Sequence, residues 1–181
     1  MKILFLDMDG VLNSHKFFGA TYSKRMAKRA KGIAKVKAIA QNEFLVEMID
    51  REAVVHLNAV LAATGAVCVL SSSWRIPWPV NVVLTALREQ GFTGDLIDKT
   101  PHGADVPPTP PEWRNSERSE YSRGLEIAAW LEKHPEVESF AIVDDSADMA
   151  HLMPRLVRTT WLNGLEAEHV EPLVKLLMET T

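Results

Sequence analysis

A single cysteine in 181 residues leaves no partner for an internal disulfide. Cys68 stands inside the apolar run AVCVL, which suits a small core residue in a chain kept in a reducing cytoplasm. Long apolar runs are also missing. None approaches the ~20 residues that cross a bilayer, and Asp7 interrupts the first apolar segment too early for a signal peptide. No membrane partner is expected. The six histidines, at positions 15, 56, 102, 134, 151 and 169, lack metal-ligand spacing, which argues against a zinc site. One absence is local: residues 14–42 contain no Asp or Glu but eight Lys or Arg. The rest of the chain carries 12 basic residues against 24 acidic ones, so a net charge of −4 conceals a basic segment on an acidic body. Such a segment points to an anionic partner.

What is present is an ordinary globular composition, 46% hydrophobic and 24% charged, in a chain long enough for one domain with a full core. Helical signals recur. In DREAVVHLNAVLAATG, Asp50 caps, Val54, Leu57 and Leu61 form an apolar stripe, and Gly65 stops the helix. PVNVVLTALREQG has Pro79 near its start and Gly91 at its end. Further helices are expected in YSRGLEIAAWLEKHP and GLEAEHVEPLVKLLMETT. Strands are expected at KILFL, AVCVL and SFAIV, with a short one in LVRTTW. Residues 98–120 hold five prolines and read as a long loop. The alternation of strand and helix predicts an α/β fold around a parallel sheet with right-handed crossovers.

The chemistry collects where strands end. KILFLDMDGVLN runs an apolar strand into Asp7 and Asp9; CVLSSSWR ends in Ser71, Ser72, Ser73 and Arg75; AIVDD ends in Asp144 and Asp145. Ligands of open α/β sheets bind at the carboxyl ends of strands. If these strands are neighbours, four carboxylates, a hydroxyl and an arginine meet at one rim. Such a set suits a hard cation together with a phosphate, whereas without the cation the like charges would raise one another's pKa.

DMDGVLN resembles motif I of the haloacid dehalogenase (HAD) superfamily, DxDG[VT] at the end of the first strand. VCVLSSSW resembles its motif II, Arg123 in YSRGLEIAAWL its motif III cation, and AIVDDSADM its acidic motif IV. The four occur in family order along nearly the whole chain. The combination further resembles the HAD domains of modular RNA-repair proteins and, more broadly, the phosphatase domain of polynucleotide kinase-phosphatases. The resemblance implies one three-layer, Rossmann-like HAD domain over residues 1–181, with a parallel sheet of about five strands. A small, basic, helical cap would be inserted after the first strand, at 14–50.

By the same resemblance, Asp7 would be the nucleophile and Asp9 the general acid, then base. Mg²⁺ would be held by Asp7, the backbone carbonyl of Asp9, and Asp145, with Asp144 as a direct or water-mediated partner. Ser71 would contact the phosphoryl group, with Ser73 beside Arg75 as its rival, and Arg123 would offset developing charge. Gly10 would allow the tight turn after the nucleophile. Together with Ser72, Ser73, Arg75, Lys24 and Lys28 it completes the expected substrate-binding set.

Blander readings stand beside these. The serines can cap a turn, Trp74 and Trp78 can pack rather than stack on a base, Trp130 belongs to the core, and Asp148 suits a helix N-terminus. The expected function is a Mg²⁺-dependent phosphomonoesterase acting on RNA or DNA ends or on nucleotides. A phosphatase for small metabolites and a non-catalytic nucleic-acid-binding module are the alternatives.

Overall fold

The computed structural model of the chain describes residues 1–19, 44–106 and 123–179. Among these, five parallel strands form one sheet in the order β3-β2-β1-β4-β5. They are β1 (Lys2–Leu6), β2 (Val67–Leu70), β3 (Leu96–Lys99), β4 (Ser139–Asp144) and β5 (Leu156–Arg158). The helices are α1 (His15–Phe18), α2 (Arg51–Thr64), α3 (Val80–Glu89), α4 (Arg123–Leu131) and α5 (Val170–Met178).

Alternate residues of β1 serve opposite faces of the sheet, as a strand's two-residue period requires. Leu4 and Leu6 enter a core with Val54, Leu57 and Leu61 of α2, Val83 and Leu87 of α3, and Leu173 and Leu177 of α5. Ile3 and Phe5 enter a second core with Ile127 and Trp130 of α4. Both faces are covered, which is why the central strand reads as an unbroken apolar run. Each fully buried Leu, Ile or Phe here contributes roughly 1.5–3 kcal/mol. Phe5 meets Trp130 edge-on at 5.5 Å, so Trp130 is core, as its spacing predicted. Cys68 is buried in β2, and burial pushes its thiol well above the usual range.

Helices α2 and α3 lie where their caps predicted. Asp50 Oδ1 accepts the Glu52 N–H at 2.9 Å, and Gly65 closes α2 in the left-handed region at φ 68°. Two elements differ from expectation. β3 falls in a segment that carries no strand signal: Leu96 is buried but Ile97 and Lys99 are exposed, the pattern of a short edge strand rather than a core one. Asp98 and Lys99 therefore belong to the sheet and not to the proline-rich loop. The closing helix is shorter than GLEAEHVEPLVKLLMETT, because a 3₁₀ turn at Ala167–His169 precedes α5.

Of the expected cap at 14–50, residues 20–43, with Lys24 and Lys28, lie outside the described residues, as do residues 107–120 of the proline-rich loop and the first two residues, 121 and 122, of the helix expected after it. The described flanks of the insertion, Phe18 and Leu45 to Ile49, pack into the first core. Among the described residues no helix is long and apolar enough to cross a membrane.

Candidate active site

Register brings the motif residues together. β1 pairs with β2 on one side (Leu6↔Leu70) and with β4 on the other (Leu6↔Val143). One residue further, the Asp7 N–H donates to the Val143 carbonyl at 3.1 Å and the Ser71 N–H to the Leu6 carbonyl at 3.0 Å. Asp7, the serine loop and Asp144 thus leave three adjacent strands at one edge.

Carboxylate oxygens of Asp7, Asp144 and Asp145 all lie within 4.8 Å of one another. Burial, reinforced by the neighbouring negative charge, raises Asp7 to about 6 and Asp144 to about 7. Burial also raises Asp145. Asp144 Oδ2 is buried without a hydrogen-bond partner. Three hard oxygen donors, one of them unsatisfied and all reluctant to ionise together, fit a divalent cation. The Asp9 side chain is not in this cluster.

This cluster makes stability pH-dependent. A carboxylate whose folded pKa is raised contributes stability that is fully present below its unfolded value, ~4, and is lost as pH rises through the folded value. In chelator the melting temperature should therefore fall as pH climbs from ~4, the unfolded value, to about 6 to 7, the folded values of Asp7 and Asp144, and level off above that. Adding Mg²⁺ should raise it strongly at pH 8 and little at pH 5, where protons occupy the ligands. Thermal unfolding at the two pH values checks this; a melting temperature indifferent to cation at pH 8 would count against the cluster.

Arg123 begins α4 and sets its Nη1 3.4 Å from Asp7 Oδ1, with its Nε 3.9 Å from Asp144 Oδ2. Its placement depends on Gly124, where a Cβ would collide with the Met149 backbone, so that α4 approaches the loop after β4 closely. Asp148 Oδ2 accepts the Arg123 N–H at 3.0 Å, a helix N-terminal acid as expected, though it serves α4 from across the fold. Gly10 lies at φ 77°, and a side chain there would strike the Asp145 carboxylate. Glycine is required both for that turn and for the cation-binding oxygens to close up.

The serine loop sets two buried hydroxyls beside the strand ends. It is the Ser72 hydroxyl that hydrogen-bonds Asp7, while Ser71 Oγ is buried with no partner and Ser73 is exposed. In the parallel register Leu6 pairs with Leu70 and Val143, so the residues that follow, Asp7, Ser71 and Asp144, fall on one face of the sheet, and Ser71 keeps its place on the nucleophile's side. Arg75, expected at the substrate, turns inward instead. Its side chain is 3% exposed, and Nη1 donates to the Ser71 and Ser72 carbonyls at 2.9 and 2.7 Å. Nη2 pairs with Glu126 at 2.5 Å. A guanidinium so committed clamps the loop rather than meeting solvent. Trp74 and Trp78 are buried at 1% and 8% exposure, which excludes them as open stacking surfaces for a base.

Asn13, Glu126 and the contact that Trp74 makes with Asp9 have no counterpart in the sequence expectations. Asn13 Nδ2 donates to Asp9 Oδ1 at 2.9 Å, and Trp74 Nε1 donates to Asp9 Oδ2 at 3.0 Å. Glu126 joins the Arg75 pair to Arg123, whose Nε lies 3.9 Å from Glu126 Oε2. Only Glu126 had a signal, its three-residue spacing from Arg123 on a helix. A groove of about 450 Å³ lined by Lys16, Asp50, Glu52, His56, Asn163 and Glu166 shares no residue with the site. Its acidic walls would repel phosphate, so the strand ends carry the chemistry.

No curated protein and no solved structure matches the chain. The family model for the HAD domain in Swiss Army Knife RNA repair proteins matches residues 3–170, which span β1 with Asp7, the serine loop, Arg123 and the acidic end of β4, and the chain belongs to that family.

Proposed function

We propose that the chain is a Mg²⁺-dependent phosphomonoesterase working through an aspartyl-phosphate, with phosphorylated RNA or DNA ends or nucleotides as substrates. The observation that carries this reading is the convergence of Asp7, Asp144, Asp145, Arg123 and the Ser72 hydroxyl at one sheet edge, with Asp9 two residues beyond Asp7. Asp7 attacks phosphorus as the bond to the leaving oxygen breaks, and Asp9 gives that oxygen its proton. Asp9 then takes a proton from water, which attacks the aspartyl-phosphate and frees phosphate. Arg123 and Ser72 donate to the phosphoryl oxygens as charge builds. Asp7, Asp144, Asp145 and the Asp9 carbonyl would hold Mg²⁺, which when bound supplies positive charge to the phosphoryl oxygens and keeps Asp7 ionised.

Substrate class rests on two supports. The family is described from RNA-repair proteins, and the insertion after β1 carries eight positive charges between residues 14 and 42. A polyanion held by these charges should bind more weakly as salt rises, because counterions compete for the same phosphates. The test is phosphate release with Mg²⁺ from 3′- and 5′-phosphorylated RNA and DNA oligonucleotides, nucleotides and sugar phosphates, each across a salt series. Salt-sensitive turnover of oligonucleotides is expected. Fast, salt-insensitive turnover of a sugar phosphate alone would transfer the reading to a metabolite phosphatase, and no turnover of any ester would leave a binding module.

A further inference from the structure

We infer that Trp74 and Asn13 are positioning residues for the acid–base carboxylate of Asp9, an inference that rests on the phosphatase reading above. Asp9 is half-buried just past a strand end, where its side chain has more than one rotamer open to it. Two donors take its oxygens separately: Trp74 Nε1–H on Oδ2 at 3.0 Å and Asn13 Nδ2–H on Oδ1 at 2.9 Å. Both donors are themselves held. Trp74 is 1% exposed, and its backbone N–H donates to Ser72 Oγ at 3.3 Å. Asn13 is also 1% exposed, and its Oδ1 accepts the Gly10 N–H at 3.1 Å. An indole nitrogen donates and never accepts, and when buried it requires a partner. Phenylalanine would fill most of the same volume, so the N–H is the part of Trp74 that packing does not explain.

The proton transfers gain from this. A general acid acts within about 2.6–3.2 Å of the atom it protonates, and a freely rotating Asp9 would spend time out of that range. Held from two sides, it keeps one orientation. One short turn, Ser73–Arg75, and the serine before it therefore set both carboxylates, Ser72 against Asp7 and Trp74 against Asp9.

The test compares wild type with Trp74→Phe and Asn13→Ala on a series of aryl and alkyl phosphate monoesters, in Mg²⁺, from good leaving groups to poor. Loss of positioning should cost about tenfold on alkyl phosphates, which need the acid, and far less on p-nitrophenyl phosphate, which does not. The dependence of kcat on leaving-group pKa should steepen in both variants. In an Asp9→Asn background neither substitution should add its own loss, because the interaction it removes is already gone. A uniform loss across leaving groups, or full additivity with Asp9→Asn, overturns the inference, since a merely structural role behaves that way. Asn13→Ala keeps the comparison readable if Trp74→Phe fails to fold. Wild type inert on every ester would overturn the phosphatase reading and this inference with it; an active wild type with unchanged leaving-group dependence in the variants overturns the positioning alone.

Discussion

Asp7→Asn should reduce phosphate release on the order of 10⁴-fold or more, the scale that follows removal of a covalent nucleophile. The same substitution should not harm the fold. Burial already resists ionisation of Asp7, and the charges of Asp9 and Asp144 add to that resistance. An amide of the same shape removes one negative charge from the cluster. In chelator at pH 8 the variant should therefore melt at or above the wild-type temperature, and the stabilisation that Mg²⁺ gives wild type should shrink because a ligand has been lost. Phosphate-release assays and thermal unfolding, run on the same preparations, check both halves. A variant that keeps its activity would move the nucleophile elsewhere. A variant that loses activity only because it unfolds would leave the role of Asp7 in the chemistry unsupported.

Glu126→Ala carries the largest expected effect on stability. The Arg75 and Glu126 side chains are 3% and 7% exposed, and they pair at 2.5 Å. Removing one member of a buried pair strands the other charge, a cost of about 3–5 kcal/mol. Much of this comes from the guanidinium left without its carboxylate rather than from the worth of the pair itself. Arg75→Met combined with Glu126→Leu should therefore recover a large part of the loss, since neither charge then remains buried alone. Urea denaturation of the single and double variants reads the difference. Activity should not recover with stability. The double variant still lacks the guanidinium that holds the Ser71 and Ser72 carbonyls, so the Ser72 hydroxyl loses its fixed place beside Asp7. A Glu126→Ala variant as stable as wild type would mean that water reaches Arg75 and that the clamp is not closed.

The legible parts of this protein are those whose cause is local. Asp50 and Gly65 mark the ends of α2 because a cap and a left-handed stop are satisfied within a few residues. The run from Ile3 to Leu6 reads as a central strand because burial on both faces leaves no polar position. Asp7 and Asp9 stand out because nothing in strand packing asks for two carboxylates at a strand end. β3 was illegible for the converse reason: it has one partner strand and exposed alternate residues, so little in its composition separates it from a loop. Short edge strands take their identity from the neighbour they pair with.

The sequence by itself determined the α/β class, the strand ends at which charge gathers, and the identity of the acidic residues Asp7, Asp9, Asp144 and Asp145. Each of these follows from residue type, period and order along the chain. Tertiary structure alone decided that the Ser72 hydroxyl reaches Asp7, that Arg75 turns inward to Glu126, and that Trp74 lends its N–H to Asp9. Those contacts join residues 51 to 65 positions apart, and a one-residue change in where a strand ends would reverse them. Side-chain direction at a strand terminus alternates with every residue. The partner waiting on either side is fixed only once parallel register has set β1, β2 and β4 edge to edge and α4 has closed over them.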